Sequence, residues 1–294
     1  MPNASPLPCQ MRWPDDAKNW PLTEHSRIVE CAPHRWHVQE AGTGPTLILI
    51  HGAGAATQSW RGLFPLLTEH YHVVAFDLPG QGFTQLGSRS RCGLDPMAQD
   101  ISRLIAHEGW QPTLLVGHSA GAAISLRLSE ILEPRPSILG INAALGNFKG
   151  VAGWLFPLTA KFLALAPFTA ELFVATSSSK KNITRLINGT GSKLPPEELA
   201  LYQRLAADRN HVDATLAMMA QWSLDGLLSR LPMLETRTLF IATEGDKAVP
   251  VSDSKNAANA MPNATCQVIP TLGHLAHEEA PEMFADLIRG FSPK

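Results

Sequence analysis

Apolar residues along this chain gather into short, dense runs bounded by turn residues. Thr46-Leu-Ile-Leu-Ile50, Val73-Val-Ala-Phe76, Thr113-Leu-Leu-Val116, Arg237-Thr-Leu-Phe-Ile-Ala-Thr243 and Ala264-Thr-Cys-Gln-Val-Ile269 are of this kind. Such runs, too short for helices and rich in branched side chains, read as strands buried on both faces. The pattern predicts strands near 46–50, 72–76, 113–117, 138–143, 237–243 and 264–269, and an edge hairpin over 27–39. Between them the apolar spacing switches to a helical period near 58–69, 96–108, 121–133 and 281–291. Strands alternating with helices imply an α/β fold, a doubly wound and mostly parallel sheet. Residues 1–26, rich in Pro and carrying Trp13 and Trp20, show no period and read as an irregular arm packed on the core.

One junction carries chemistry. The strand at 113–117 runs straight into Gly117-His-Ser-Ala-Gly121, and a small-residue helix follows. This is the pattern of a nucleophile elbow, with Ser119 at the apex of a strained strand-to-helix turn. Side chains in place of Gly117 and Gly121 would clash with the turn's neighbours. A hydroxyl needs a base, and the base needs an orienting acid, in the order serine, acid, histidine. Asp246 follows the strand at 237–243 and is the expected acid, with Glu244 the alternative. His274, in the loop before the C-terminal helix, is the expected general base. His277 and Glu278 lie close to it, but His-x-x-His without further ligands does not make a metal site, and no resident metal or cofactor is expected.

Acyl transfer also needs two amide N–H groups for the developing oxyanion. Ala120 would supply one, and Ala53 or Gly54, after the strand at 46–50, the other. Gly52-Ala-Gly54, with Asp77 ending a strand, also looks like a dinucleotide fingerprint, but the third glycine position holds Thr57. Asp77-Leu-Pro-Gly-Gln-Gly82 reads better as a turn-rich loop on the rim of the site. Nucleophile, acid, base and oxyanion loop all fall at strand carboxyl ends, where open α/β sheets bind ligands.

About 90 residues separate the strand near 138–143 from the one at 237–243, far more than a crossover needs. The core is therefore expected at 27–145 and 231–294, with an inserted, mainly helical cap at 146–230. Pro195-Pro-Glu-Glu starts one cap helix, and 211–222 continues in helical spacing. Residues 150–176 are rich in Trp, Phe and Leu, but Pro157, Lys161, Pro167 and Glu171 argue against a membrane span. From Asn147 to Lys193 there are six cations, Lys180, Lys181 and Arg185 among them, and one anion. Two readings stand: a cap core with a solvated basic face, or a surface for anionic lipid or a large apolar carboxylate. Gly54, His118, Trp154, Met218 and Met219 are the candidate substrate contacts.

Composition adds bounds. A chain of 294 residues with 45% apolar content holds one large α/β core plus the insertion. A net charge of −2 gives no pull toward nucleic acid. Four cysteines without paired spacing, and a start lacking a basic region and apolar stretch, point to a cytoplasmic protein.

These motifs resemble the α/β-hydrolase superfamily over residues 27–294. A closer resemblance rests on Trp13-Pro, Asn19-Trp20-Pro, Ser26-Arg27, Arg35-Trp-His-Val-Gln39, His51-Gly-Ala-Gly-Ala55, Ser59-Trp-Arg61, Asp77-Leu-Pro-Gly80, Gly82-Phe-Thr84 and Gly117-His-Ser-Ala-Gly-Ala122. Together these are similar to the magnesium-chelatase accessory hydrolases of bacteriochlorophyll biosynthesis. The resemblance implies work near magnesium insertion into a porphyrin, with magnesium chelatase as a partner; the apolar, basic cap itself keeps open a rival reading, a peripheral adaptor on the photosynthetic membrane. The resemblance implies a pathway more firmly than a reaction, so a porphyrin-binding or chelatase-assisting protein without turnover remains an alternative, as does a generic carboxylesterase or carbon–carbon bond hydrolase.

Overall fold

The computed structural model describes residues 11–146 and 179–292. Eight strands form one sheet: β1 (Ser26–Cys31), β2 (His34–Ala41), β3 (Thr46–Ile50), β4 (His72–Phe76), β5 (Pro112–His118), β6 (Ser137–Ile141), β7 (Thr238–Thr243) and β8 (Ala264–Ile269). Their order is β1-β2-β4-β3-β5-β6-β7-β8. β2 pairs antiparallel with both β1 and β4, and every other pairing is parallel. Ten helices are described: α1 (Phe64–Leu67), α2 (Leu94–Glu108), α3 (Ala120–Ser129), α4 (Lys180–Gly189), α5 (Pro196–Ala207), α6 (Arg209–Gln221), α7 (Asp225–Arg230), α8 (Val251–Ala260), α9 (Ala276–Glu279) and α10 (Pro281–Phe291).

Alternation along the central strands builds two cores. Leu47 and Leu49 of β3, with Val73 and Ala75 of β4, face the cluster holding Phe64, Phe284 and Ile288. Ile48, Ile50, Val74 and Phe76 face the opposite cluster, with Met97, Ile101, Ile124 and Leu126. Both faces are thus dry, which is why these strands are continuous apolar runs instead of alternating ones.

Two expected elements are modified and one was not expected. The stretch 58–69 splits into a 3-10 turn, Thr57–Trp60, and the four-residue α1, because Gly62 and Pro65 interrupt it. The strand expected to reach 143 ends at Ile141, since Asn142 turns away with φ 44°. The crossover helix α8 was not foreseen: Val-Ser-Asp-Ser-Lys-Asn-Ala-Ala-Asn-Ala lacks an apolar stripe and buries mainly Ala257 and Ala258.

Between β6 and β7 the described residues form α4 to α7. Lys180, Lys181 and Arg185 sit on the exposed side of α4, opposite buried Ile183 and Ile187. Trp154 and the apolar stretch 150–176 lie outside the described residues. Among the described residues no helix is long and apolar enough to cross a membrane.

The arm, residues 11–25, bridges the sheet and the helices between β6 and β7. Trp13 packs against His37 and Phe83, and Trp20 meets Phe83 edge-on at 5.1 Å. Trp20 Nε1 donates to Thr57 Oγ1 at 3.3 Å. From α5, Arg204 lies over the Trp20 and Phe83 rings and donates to the Lys18 carbonyl at 3.1 Å. Asp208, between α5 and α6, accepts the Met11 amide.

Candidate active site

Ser119 sits between β5 and α3 with φ 53° and ψ −116°, a conformation L-residues rarely adopt. Its N–H donates to Ile141 O at 2.9 Å, and its carbonyl accepts from Ala144 N at 3.2 Å, so the end of β6 holds the turn. A Cβ on Gly121 would lie 2.1 Å from Ile50 O, and one on Gly117 would lie 2.4 Å from Gly121 O. Both glycines are therefore required by backbone approach, as the motif implies. Ala120 opens α3, where the first amides have no partner within the helix.

His274 Nδ1 donates to Asp246 Oδ2 at 2.7 Å. Asp246 is 1% exposed and His274 12%. The other carboxylate oxygen of Asp246 accepts from Ala248 N at 2.7 Å and Val249 N at 2.9 Å. Backbone amides thus fix the carboxylate, and the carboxylate fixes the ring. With Nδ1 donating, Nε2 is the atom with a free lone pair. Glu244, the alternative acid, is exposed, and its amide continues the β8 pairing through Ile269 O.

Two side chains hold the His274 loop from beneath. His118 Nε2 donates to the His274 carbonyl at 2.9 Å, and Asn142 Nδ2 donates to the same oxygen at 2.9 Å and to Gly273 O at 3.1 Å. Asn142 Oδ1 accepts from Thr243 N at 2.9 Å, tying the ends of β6 and β7 together. His118, expected as a substrate contact, is 2% exposed and supports the loop instead. Burial and the neighbouring His277 and His274 push its pKa well below the ordinary range, so it stays neutral. Asn142 was not singled out in the sequence. Its signal was an asparagine at a strand's carboxyl end, a residue tolerant of positive φ.

His277 does not join His274 in a ligand set. Its ring packs between Trp60, at 4.5 Å, and His118, at 4.6 Å, and is fully buried. Glu278 turns to Arg61 Nη1 at 2.5 Å and to the Tyr202 hydroxyl at 2.5 Å, while Arg61 also pairs with Glu198 of α5. Burial pushes the Glu278 carboxyl up to about 7 against the pull of Arg61. This cluster locks α5 to the segment after His274.

The loop after β3 is a β-turn, Gly52 to Ala55, closed by Ala55 N to Gly52 O at 3.2 Å. Gly54 occupies its third position with φ 77°, as a type II turn demands. Gly52 abuts the elbow: a Cβ there would lie 3.0 Å from Ser119 Cβ. The Gly54 N–H is committed to Gln81 Oε1 at 2.9 Å, which leaves Ala53, whose side is exposed, as the turn's open amide.

The loop 77–84 corrects one expectation. Asp77 is 0% exposed, and most of the loop lies under α6 and the arm instead of on a rim. Asp77 Oδ1 accepts from Thr57 N at 2.7 Å, and Oδ2 from Phe83 N at 2.8 Å and His37 Nδ1 at 2.8 Å. A carboxylate so committed cannot hold a ribose, which disposes of the dinucleotide reading. Met218 is likewise 2% exposed, with its sulfur accepting from Gln81 Nε2 at 3.4 Å; Met219 is half-buried.

Comparison with known proteins agrees with this fold. The family described as the alpha/beta hydrolase fold matches residues 45–281. The chain is 41% identical over 272 residues to the magnesium-chelatase 30 kDa subunit of Rhodobacter capsulatus, covering 92% of this chain and 95% of that protein. It is 27% identical to the 2-hydroxy-6-oxo-6-(2'-aminophenyl)hexa-2,4-dienoic acid hydrolase of Metapseudomonas resinovorans, over 90% of each. Among solved structures the epoxide hydrolase CorEH superposes with a TM-score of 0.77 at 18% identity, covering 90% of this chain and 97% of that one, a likeness of fold.

Proposed function

The chain belongs to the α/β-hydrolase fold family, and from that premise we propose that it is a serine hydrolase working through Ser119, His274 and Asp246. The observation that carries this reading is the 2.7 Å bond from His274 Nδ1 to a buried, amide-held Asp246, at the same edge of the sheet as the strained Ser119. Held this way, His274 Nε2 accepts the Ser119 proton as Oγ attacks a carbonyl carbon. The N–H groups of Ala120 and Ala53 receive the oxyanion. His274 then gives its proton to the leaving group, and water deprotonated by the same nitrogen releases the acyl chain.

Identity with a protein named as a magnesium-chelatase subunit supports a place beside that enzyme. The exposed cations of α4 support a carboxylate-bearing ligand, and a porphyrin carrying propionates is the substrate class we assign. The test is labelling with a fluorophosphonate probe, followed by a screen of acyl esters and porphyrin methyl esters. Ser119→Ala is expected to remove labelling and to lower ester hydrolysis on the order of 10³-fold or more. Equal hydrolysis by both proteins defeats the assignment. The relative's name also favours a second reading, a chelatase-assisting protein without turnover; Ser119→Ala that supports magnesium insertion as well as wild type would select it.

A further inference from the structure

Helix α6 does more than cover the sheet. Its first turn places His211, 4% exposed, against both loops flanking the nucleophile. Asp208, at the helix N-cap, accepts the His211 amide at 2.8 Å and so fixes that turn. Gly82 N donates to His211 Nδ1 at 3.1 Å. An accepting Nδ1 makes Nε2 the protonated nitrogen, and Nε2 donates to Gly54 O at 3.2 Å. The neutral ring offers one acceptor and one donor, and both are used. Burial pushes its pKa down to about 4, with Asp77 pulling the other way, so the neutral form holds.

Gly54 is gripped on both sides. Its N–H goes to Gln81, whose own amide nitrogen reaches Met218 of α6, and its carbonyl goes to His211. The first bond sets the plane of the Ala53–Gly54 peptide and the second that of Gly54–Ala55. A Cβ on Gly80 would lie 2.5 Å from Ala214 Cβ, and one on Gly54 3.6 Å from Thr215 Cγ2. Here α6 is packed directly on the two loops.

We propose that His211 is a positioning residue that reaches from the cap to hold the Gly52–Ala55 turn, so that the Ala53 N–H stays aimed at the oxyanion. The proposal rests on the acyl-transfer reading above. It makes the cap a part of the oxyanion machinery as well as a cover for substrate. Mispositioning a donor weakens transition-state binding more than ground-state binding, so the loss belongs in kcat.

The experiment compares wild type with His211→Phe, His211→Asn and His211→Gln, each checked for folding by circular dichroism. Hydrolysis of a p-nitrophenyl ester gives kcat and KM. Hydrogen exchange over residues 52–56 reads the turn without any need for activity. His211→Phe is expected to lower kcat about 10- to 100-fold with KM within about twofold, and to speed exchange at the turn. Gln keeps a donor within reach of Gly54 O and is expected to recover most of the loss; Asn keeps only an acceptor near Gly82 and is not. If the Phe variant does not fold, the order of Gln above Asn decides the matter. Unchanged exchange at the turn overturns the proposal whatever the kinetics. So does a raised KM at constant kcat, which would assign His211 to substrate binding. A wild-type protein that never labels at Ser119 overturns the acyl-transfer reading instead, and the exchange data then still judge the His211 grip.

Discussion

The two loops that would meet at a reacting carbonyl are held by opposite means. The elbow at Ser119 is fixed by backbone packed on backbone: Gly117 and Gly121 let the main chain close in, Gly121 against Ile50 O, and Ile141 O and Ala144 N hold the main chain of Ser119. The Gly52–Ala55 turn lies beside it, yet its geometry depends on Gln81, on His211 far along the chain, and beneath them on Asp77. Main-chain sterics set the first loop, and polar bonds from remote side chains set the second. The first should therefore break with a single methyl group, and the second should degrade by steps as remote partners are removed.

The largest effect is expected at the elbow. Gly121→Ala sets a carbon 2.1 Å from Ile50 O, where two backbones would have to part. Its cost should pass the usual range for overpacking and reach about 4 kcal/mol or more. A urea denaturation midpoint close to wild type would show that the elbow is more pliable than this.

Asp77→Ala comes next. It strips partners from Thr57 N, Phe83 N and the His37 ring at a fully buried site. Leaving such groups unpaired should cost about 3 kcal/mol. Because Asp77 lies under the second loop, hydrogen exchange should quicken at 52–57 and stay slow at 117–122. Equal quickening at both would erase the contrast between them.

The smallest effect concerns pH and the anchor beside His274. The Glu278 carboxyl is raised from 4.5 to about 7, so the folded protein binds a proton there that the unfolded chain releases. Stability from this group is complete below about pH 4.5 and is lost as pH rises toward 7, by at most about 3 kcal/mol. His51 and His211, both lowered to about 4, act in the opposite sense: their contribution is present above about 6.5 and is lost as pH falls toward 4. Both histidines remain in Glu278→Gln, so the difference between variant and wild type isolates Glu278. Thermal melts from pH 4.5 to 7.5 should show the variant losing less stability with rising pH. Parallel curves would mean that Glu278 keeps its charge throughout.

The same contrast explains what could be read from the sequence. Strands at 46–50 and 72–76 stand where the apolar runs put them, because burial on both faces leaves a local signature; the edge strand at 264–269, mostly half-buried or exposed, was found by its branched residues and the turn residues around it. Asp246 and His274 were found by order and by position at strand ends, and the structure joins them. Helix α8 escaped because alanines, not an apolar stripe, make its buried side. Asn142 and His211 escaped for a different reason. Each acts through bonds to residues more than a hundred positions away, and no local period encodes such a pairing. Met218 looked like a pocket residue because a sequence shows side-chain chemistry, not that Gln81 will claim the sulfur.

The arm that straps the cap to the core has a consequence for the order in which the molecule can assemble. Met11 is bonded to a residue 197 positions later, and Lys18 to one 186 positions later. On a ribosome adding roughly 5–20 residues per second, the arm is made on the order of 10–40 s before those partners exist. Through that interval Trp13 and Trp20 have only part of their final surroundings. A segment made long before its partners is among the last to find its place.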